Sequence, residues 1–362
     1  MRLVITRRER LDFPDGINIS IFSLAKSLRR AGHEVHFLTT HRCDQAKITE
    51  FFEFQEADLI HSLSDKKFED TSKFEVLFLW LWRARAVIRK LGVDGIVLNG
   101  ALPVRLPART VVVSHDLEKV GRRVGLKLDF TRVLFKWLAY RFADKVVVTC
   151  SELQPALARE IGLDPARITI IPTCFNTAEY QGLPLLERRN AIIHIGTALY
   201  KNPGGAVAAF ARMKNPQTEL LIVGQKNAEL ERLISSQPPA IAARIRVTGF
   251  LSMAELRRLL GSVRAVIVPS TYAVPVASPT AIEPLLAGTP IVCSHSISRD
   301  VVGEEVGLVV AVEDPGQVAA ALDRLTGDDA AWRRMSSAAG RIAERFSATR
   351  VAQCYLDLFQ KS

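Results

Sequence analysis

The sequence predicts an α/β fold built from two doubly wound parallel sheets, and three observations support this. Apolar strand-like runs alternate with helical patterns along the chain, as expected when helices cover both faces of a parallel sheet. At 362 residues the chain is too long for one typical hydrophobic core. The irregular stretch 172–189, which contains Pro172, Gly182 and Pro184, separates two series of strands and is interpreted as a linker.

The candidate strands follow in order. The first series lies at 3–6, 34–39, 95–98, 110–114, 145–149 and 168–171, and the second at 191–195, 219–223, 245–248, 265–268, 290–293 and 307–310. We therefore expect a first domain over 1–172, a linker over 173–188 and a second domain over 189–345. Ligands of such sheets bind beyond the carboxyl ends of the strands, so the sequence predicts a site in the cleft between the domains.

Composition excludes several classes of protein. Hydrophobic residues make up 48% and the mean hydropathy is +0.13, which is ordinary for a globular protein, and no stretch is apolar enough to predict a membrane span. The start of the chain leads directly into a strand-like run, so we expect no signal peptide. Scattered cysteines without a C-x-x-C pair favour a reducing cytoplasm, with no structural zinc and no disulfide framework. These cysteines are Cys43, Cys150, Cys174, Cys293 and Cys354.

The net charge of +10 is concentrated in one stretch. Residues 119–145 include eight Lys and Arg but only two Asp. Aromatic and aliphatic residues lie between these charges at helical spacing. Such a basic amphipathic stretch suits contact with an anionic membrane or another phosphate-rich surface. The alternative is a core-facing helix with a solvated basic face. Nucleic acid is not expected as a partner, because no RNA- or DNA-binding motif accompanies the charge.

The stretch 278–292 is typical of a nucleotide site at a helix start. Ser278 suits the N-cap position and Pro279 the first helical position, where a missing N–H costs nothing. The N–H groups of Thr280 and Ala281 would then be free to hold a phosphate. Glu283 lies about one turn further on and could accept hydrogen bonds from a ribose diol. The alternative is an ordinary helix cap with a surface Glu.

Several common cofactor motifs are missing from the sequence. It contains no G-x-G-x-x-G, no G-x-x-x-x-G-K-[ST] and no Asp-x-Asp. Dinucleotide binding of the usual kind, P-loop chemistry and a metal-bridged diphosphate are therefore not expected. We expect neither a metal nor a resident cofactor.

A series of segments carries the motifs of a known family. The chain resembles glycosyltransferase family 4, whose members have the GT-B fold. The matching segments, in order, are 17–39, 111–116, 143–151, 245–251, 265–270, 300–315 and 345–347. The resemblance covers nearly the whole chain and depends on the number and order of these segments, since each one alone is common.

This resemblance implies two Rossmann-like domains that face a central cleft. The first would hold the acceptor and the second the nucleotide-sugar. The last helix, over 346–362, would cross back onto the first domain. The implied reaction is a retaining, metal-independent transfer from a nucleotide-sugar, which is a substrate and not a cofactor. The first hypothesis for the acceptor is a lipid-linked or saccharide molecule of bacterial cell-envelope or exopolysaccharide assembly, reached at the inner face of the cytoplasmic membrane. The basic stretch 119–145 is what suggests the lipid-linked acceptor.

The resemblance also assigns roles to residues. Glu283 would bind the ribose, His115 would lie near the sugar, and Lys201 would bind the diphosphate. His115 and Lys201 carry the catalytic assignments, although His115 could instead cap a turn and Lys201 could be surface charge. The donor-binding residues implied by the motifs are Gly16, Gly196, Thr197, Lys201, Thr280, Ala281 and Glu283.

The chain departs from the family pattern at three places. Pro275 stands where the family has a sugar-binding glutamate, eight positions before Glu283. Thr197 replaces an arginine of the diphosphate motif, and the segment 172–176 differs from the usual P-N-G-V-D. Two alternatives therefore remain: transfer to a soluble acceptor, or a degenerate GT-B protein that binds a nucleotide-sugar or a partner without turnover. The sequence does not identify the nucleotide base, the sugar, the acceptor or the oligomeric state.

Overall fold

The computed structural model describes residues 1–66, 70, 73–100, 102–115, 130–182, 184 and 187–360, and these form two compact units. The first unit contains Met1–Asn176 and Phe346–Ser362, and the second contains Thr177–Arg345. Each unit has one parallel sheet with helices packed against it, so the predicted fold class is confirmed. The division after Asn176 lies within the stretch interpreted as a linker.

The sheet of the first unit has the spatial order β3-β2-β1-β4-β5-β6-β7. Its strands are β1 (Arg2–Arg7), β2 (Glu34–Thr39), β3 (Ile60–Ser62), β4 (Gly95–Asn99), β5 (Arg109–Ser114), β6 (Lys145–Val148) and β7 (Ile168–Ile170). The strand order reverses between β1 and β4. At such a reversal the loops leave the sheet in opposite directions and open a crevice at the carboxyl ends of the strands.

The helices of the first unit connect these strands. They are α1 (Gly16–Arg30), α2 (Gln45–Phe52), α3 (Lys73–Leu79), α4 (Arg85–Leu91), α5 (Phe130–Phe142) and α6 (Leu153–Ile161). A π-helical turn, Trp80–Ala84, joins α3 to α4. Helix α1 starts where the Asp15 carboxylate accepts a hydrogen bond from the backbone of Asn18, which satisfies one of the first-turn donors.

Aromatic packing holds α1 and α2 against the sheet. The Phe22 ring of α1 lies 4.8 Å from that of Phe37 on β2 and 4.4 Å from that of Phe52 on α2, measured between centroids. All three rings are buried, and such pairs contribute about 0.5–1.5 kcal/mol beyond their buried area.

The last helix, α14 (Ala348–Gln360), belongs to the first unit, as the resemblance implied. It packs against α1, and its Phe359 ring lies over Gly95 of β4. A Cβ at Gly95 would lie 2.6 Å from that ring, so this approach requires glycine. Arg109 of β5 donates a 2.6 Å hydrogen bond to the Phe359 carbonyl and caps the end of α14.

The sheet of the second unit has the order β10-β9-β8-β11-β12-β13, with its reversal between β8 and β11. Its strands are β8 (Arg189–Ile195), β9 (Glu219–Val223), β10 (Ile245–Gly249), β11 (Val263–Val268), β12 (Ile291–Ser294) and β13 (Gly307–Val310). Its helices are α7 (Pro203–Phe210), α8 (Ala228–Ser235), α9 (Pro239–Ala242), α10 (Met253–Gly261), α11 (Pro279–Leu286), α12 (Pro315–Gly327) and α13 (Asp329–Ala343).

One hydrophobic core lies on the face of this sheet covered by α7 and α12. It includes Phe210, Leu220, Ile267 and Leu322, all almost completely buried. The other face is covered partly by α11 and α13, which pack against each other. A sheet covered on both faces explains why its central strands are continuous apolar runs.

The first unit contains one strand, β3, that the sequence pattern did not predict. Strand β3 was not predicted, because Ile60-His61-Ser62 is too short to show alternation and is recognised only by its pairing with β2. The first part of the basic stretch 119–145, residues 119–129, lies outside the described residues. Its described end is α5, where Trp137 and Phe142 are 38% and 40% exposed and the Arg141 guanidinium lies 5.0 Å from the Trp137 ring centroid.

Candidate functional site

The candidate site of the second unit lies at the strand-order reversal, where β8 and β11 end. Gly196 follows β8 and leads into a 3-10 turn, Leu199–Lys201, while the segment after β11 carries Tyr272. The Thr271 N–H donates a 2.8 Å hydrogen bond to the Tyr200 carbonyl, which ties the two loops together. This is the crevice in which doubly wound sheets bind ligands.

Lys201 is the centre of a polar cluster at this crevice. Its Nζ donates to the Tyr272 hydroxyl at 2.9 Å and to Thr280 Oγ1 at 3.3 Å, and lies 3.5 Å from Ser278 Oγ. Burial lowers the pKa of this ammonium from its ordinary value. The partners of Lys201 in this cluster are neutral hydroxyls, so its positive charge is not compensated by them. This arrangement suits the binding of an anion.

Aromatic rings flank the ammonium. Nζ lies 5.4 Å from the Tyr200 ring centroid and 5.5 Å from that of Tyr272. Gly196 has φ +96°, and a Cβ there would lie 3.1 Å from Lys201 Cγ, so glycine lets the lysine stem cross the end of β8. Thr197, the next residue, packs against Gly224 after β9. Sequence and structure thus place Gly196, Thr197 and Lys201 in one turn.

The start of α11 completes the cluster, with one correction to the sequence prediction. Pro279 is the first helical residue, as predicted, and the Thr280 N–H makes no hydrogen bond to the described residues. The Ala281 N–H is not free: it donates a 2.9 Å hydrogen bond to the Ser278 carbonyl. The first turn of α11 is tightened by this i to i+3 bond, and Ala281 is completely buried. One backbone donor therefore remains, not two.

Ser278 occupies the N-cap position, but its hydroxyl does not cap the helix. It lies 2.9 Å from Thr280 Oγ1 and 3.5 Å from the Tyr272 hydroxyl. The side chain is drawn into the hydroxyl cluster around Lys201, because a hydrogen bond to a cation is stronger than one to a neutral amide. The hydroxyls of this cluster are those of Tyr272, Ser278 and Thr280.

Glu283 lies one turn into α11 and is 2% exposed. Its Oε1 accepts a 2.9 Å hydrogen bond from the Tyr180 hydroxyl. Burial raises the pKa of this carboxyl to about 7, against the opposing effects of Tyr180, Arg257 and Lys201. It is not the surface glutamate of the alternative interpretation, since a carboxyl of ordinary surface type would be exposed and unpaired.

The loop that contains Pro275 forms backbone hydrogen bonds of its own. The Val276 N–H donates to the Ser296 carbonyl at 3.1 Å, and the Ser278 N–H donates to the Val276 carbonyl at 3.0 Å. A third bond, from the Ser298 N–H to the Val276 carbonyl, joins the loop to the segment after β12. These amides are therefore engaged within the protein and are not available to a bound sugar.

The corresponding edge of the first unit carries His115. It follows β5, and its Nε2 lies 2.9 Å from Oδ1 of Asn99 at the end of β4. Burial, with a smaller contribution from the charge of Arg7, lowers the pKa of the imidazole to about 3. The ring is therefore neutral at physiological pH, and the contact with Asn99 requires that Nε2 carry the proton.

A small cavity adjoins His115. Residues of α1, the ends of β4 and β5, and α14 line it, among them Ser20, Asn99, Thr149 and Tyr355. Asn99 Nδ2 and Thr149 Oγ1 are buried there and have no hydrogen-bond partner among the described residues. Such groups are costly to bury unpaired, which makes the cavity a place for water or a polar ligand group.

Gly16 lies at the same end of the sheet, but as the first residue of α1 and without a positive φ. The neighbouring N-cap Asp15 accepts a 2.9 Å hydrogen bond from Arg7. Gly16 is therefore part of a helix start.

Sequence reasoning missed three residues of the two edges: Tyr180, Tyr272 and Asn99. Tyr272 could have been found, because it follows β11 by a few residues at the strand-order reversal. Asn99, the last residue of β4, carries the same signal. Tyr180 carries none, since it lies in an irregular segment distant from Glu283 in sequence.

Among the described residues, no group of three or more His, Cys, Asp and Glu is arranged to hold a metal ion. In the same part of the chain, no helix is long and apolar enough to cross a membrane.

Comparison with solved structures shows which proteins share this fold. The sucrose-phosphate synthase of Thermosynechococcus elongatus is 20% identical, with complete coverage of both chains and a TM-score of 0.79. Anabaena HepE in complex with UDP is 18% identical, again over both whole chains, with a TM-score of 0.78. WaaG, a glycosyltransferase involved in lipopolysaccharide biosynthesis, is 14% identical over 99% of this chain and all of the other, with a TM-score of 0.74.

Family models match the sequence itself. Residues 14–179 match the model described as Glycosyltransferase Family 4, and residues 189–328 match the one described as Glycosyl transferases group 1. No match was found among curated protein sequences. The two models together span most of the chain and meet at the boundary between the two sheets. The chain therefore belongs to glycosyltransferase family 4 and has the GT-B fold.

Proposed function

We propose that this glycosyltransferase moves a sugar from a nucleotide-sugar donor to an acceptor of bacterial cell-envelope or exopolysaccharide assembly. The transfer would retain the configuration of the sugar and need no metal ion. The carrying observation is the cluster around Lys201, where an ammonium, three hydroxyls and the Thr280 N–H converge at the start of α11.

This cluster suits the departure of a diphosphate. When the bond from the sugar carbon to the diphosphate breaks, its electron pair stays on the phosphate oxygen. Held donors and a cation near that oxygen stabilise the developing charge, and such groups contribute about 3–4 kcal/mol each in enzymes. Lys201 supplies the charge, and Thr280 supplies a backbone donor at the positive end of the helix dipole.

Glu283 and His115 receive the remaining roles. Glu283 would bind the ribose diol, since it lies one turn from the Thr280 N–H on the same helix. His115, neutral and held through Nε2, would leave Nδ1 to accept a hydrogen bond from a sugar hydroxyl. Gly196 and Thr197 would line the diphosphate, and Gly16 the donor side of the first unit. Among the relatives in fold, HepE binds UDP and UDP-glucose, which supports a nucleotide-sugar donor.

The acceptor and the place of action are proposed from charge and from one relative. The basic stretch 119–145 suits an anionic membrane surface, and its described end exposes Leu134 and Trp137. WaaG, which has the same fold, takes part in lipopolysaccharide biosynthesis. We therefore propose a lipid-linked or saccharide acceptor met at the cytoplasmic face of the membrane. A soluble acceptor is the alternative if 119–145 is only a structural helix.

One observation favours a second candidate function, binding without turnover. Pro275 replaces a sugar-binding glutamate, and the neighbouring amides of Val276 and Ser278 are engaged within the protein. A protein of this kind would bind a nucleotide-sugar but would not cleave it.

The deciding experiment combines binding with donor cleavage. Thermal shift with a panel of nucleotide-sugars identifies the donor, since a ligand that binds the folded state raises the melting temperature. Donor hydrolysis without acceptor is then measured with the wild type and with Lys201→Ala. Hydrolysis that disappears in Lys201→Ala supports transfer. Binding without any hydrolysis supports the second function, and a panel with no stabilising nucleotide-sugar would reject both.

A further inference from the structure

Glu283, the proposed ribose ligand, is held by a residue outside the family motifs. The Tyr180 hydroxyl lies 2.9 Å from Glu283 Oε1, and the two residues are 7% and 2% exposed. A buried carboxylate is costly unless its oxygens are paired. The structure supplies one partner from the segment that begins the second unit, far along the sequence from α11.

The direction of this hydrogen bond is fixed by chemistry. Burial and the nearby Glu283 raise the pKa of the Tyr180 phenol well above its ordinary value, so it keeps its proton and donates. An ionised Glu283 can only accept. Its second oxygen, Oε2, accepts no hydrogen bond from the described residues. One oxygen is thus held by the protein, and the other remains for a ligand that donates.

Tyr180 is itself held in place by Arg257. Arg257 of α10 forms an ion pair with Glu179, the residue before Tyr180, and both partners are largely buried. The Arg257 guanidinium also lies 5.5 Å from the centroid of the Tyr180 ring. Cation–π contact and ion pairing together fix the ring and therefore the direction of its hydroxyl.

We propose that Tyr180 is a positioning residue for nucleotide binding, which holds Glu283 Oε1 and leaves Oε2 to accept from the ribose diol. Arg257 and Glu179 hold Tyr180 in the required orientation. This inference rests on the proposed function, because it assumes that Glu283 binds the ribose. The Tyr180 hydroxyl thus favours the ionised form of the buried Glu283 carboxyl and fixes its orientation.

The charged and titratable groups around Glu283 determine the expected pH dependence. The Tyr180 hydrogen bond, Arg257 and Lys201 all favour the carboxylate, while burial opposes it and raises the pKa to about 7. Helix α13, which packs against α11, buries only apolar side chains, and Cys293 of neighbouring β12 has a pKa of about 12 and stays neutral. Removal of the Tyr180 hydroxyl should therefore raise the pKa of Glu283 further.

The test measures donor affinity against pH in the full chain with Tyr180→Phe. The probe is whichever of UDP-glucose, ADP-glucose and GDP-mannose binds the wild type most tightly, since all carry the same ribose diol and a diphosphate without a titrating proton near neutrality. A hydrogen bond to a charged group is worth at least about one pKa unit. We expect about fivefold weaker binding at pH 7 and less than about 1.5-fold at pH 8.5.

Recovery of donor affinity by Tyr180→Phe at high pH distinguishes a positioning role from structural damage, because higher pH would not repair a damaged fold. Tyr140→Phe is the matched control: it removes a buried hydroxyl that bonds Ser114 at 3.0 Å in the other unit, and its affinity profile should follow the wild type. In a Glu283→Gln background, Tyr180→Phe should produce no shift with pH. If Tyr180→Phe does not fold, Arg257→Met tests the same point, because it also removes a group that favours the carboxylate.

The outcomes distinguish the two levels of the proposal. A wild type that binds none of the probes, or a Glu283→Gln variant that binds as the wild type does at every pH, overturns the proposed ribose site and this inference with it. Wild-type binding that depends on Glu283, with an unshifted pH profile in Tyr180→Phe, overturns the positioning role alone.

Discussion

The two sheets reverse their strand order in the same way, yet the crevices at their carboxyl ends differ in chemistry. In the second unit the crevice holds a cation, hydroxyls and a helix start around Lys201. In the first unit it holds a neutral imidazole, His115, and polar atoms of Asn99 and Thr149 that no described residue hydrogen-bonds. Common topology thus provides two crevices, and the side chains at the strand ends decide that one suits an anion and the other a neutral polar group.

The largest expected effect comes from removing the cation. Lys201→Ala should lower donor cleavage by about 100- to 1000-fold, because the ammonium would no longer stabilise the departing diphosphate. Steady-state hydrolysis of the donor measures this. Lys226→Ala, which removes an exposed lysine paired with Glu231, is the control and should keep wild-type activity. Equal rates in all three proteins would mean that the second crevice is not the anion site.

The second prediction concerns stability and pH. Burial raises the pKa of Glu283 from 4.5 to about 7, so this carboxyl contributes its full stability below pH 4.5, and that contribution is lost as pH rises through 7. The loss amounts to about 3 kcal/mol. Glu283→Gln should remove this pH-dependent loss. The free energy of unfolding of the variant in urea should therefore rise relative to that of the wild type between pH 5 and 8. Glu229→Gln, at an exposed position of α8, should follow the wild type. Parallel curves for Glu283→Gln and wild type would contradict the raised pKa.

The third prediction tests ligand binding at Glu283. Glu283→Ala should weaken nucleotide binding by about 10- to 100-fold, as expected when a hydrogen bond to a charged group is lost. Calorimetry measures the affinity, and circular dichroism checks that the fold is intact. Unchanged affinity in a folded variant would remove Glu283 from the proposed site.

A smaller effect is expected at the neutral crevice. Loss of one hydrogen bond to a neutral group lowers a rate by about tenfold. His115→Ala and Asn99→Ala should therefore each lower the rate of sugar transfer by about that factor. Neither should change nucleotide affinity, since the proposed partner is the sugar. His61→Ala, which alters another buried histidine contact of the same unit, serves as control. If His115→Ala or Asn99→Ala lowered nucleotide affinity as much as Glu283→Ala, the two crevices would not differ in the part of the donor that they bind.

The smallest effect concerns α5. Arg141→Glu combined with Trp137→Ser should lower binding to vesicles with anionic lipid by about tenfold, because each basic residue contributes about 1 kcal/mol at such a surface. Co-sedimentation measures this, with neutral vesicles as the control, and donor hydrolysis should not change. Equal binding by variant and wild type would favour the soluble acceptor.

Most of the fold could be predicted because it depends on local patterns. Parallel strands such as β2, β9 and β13 contain apolar runs, and their bounds match those predicted. The helix at Pro279 was predicted from its start signals. Strand β3 was missed because three residues carry no period. The bonded Ala281 N–H was missed because sequence does not show how tightly a first turn winds.

The sequence by itself determined the two-domain parallel architecture, the motif order of the family and the chemical types at Lys201, Glu283 and His115. These follow from residue identity and spacing along the chain. Only the tertiary structure decided that Tyr180 meets Glu283, that Tyr272 meets Lys201 and that Asn99 holds His115. These contacts join residues distant in sequence, so no local pattern encodes them. The same holds for the pKa shifts of Tyr180, Glu283, Lys201 and His115, which burial in the folded chain causes.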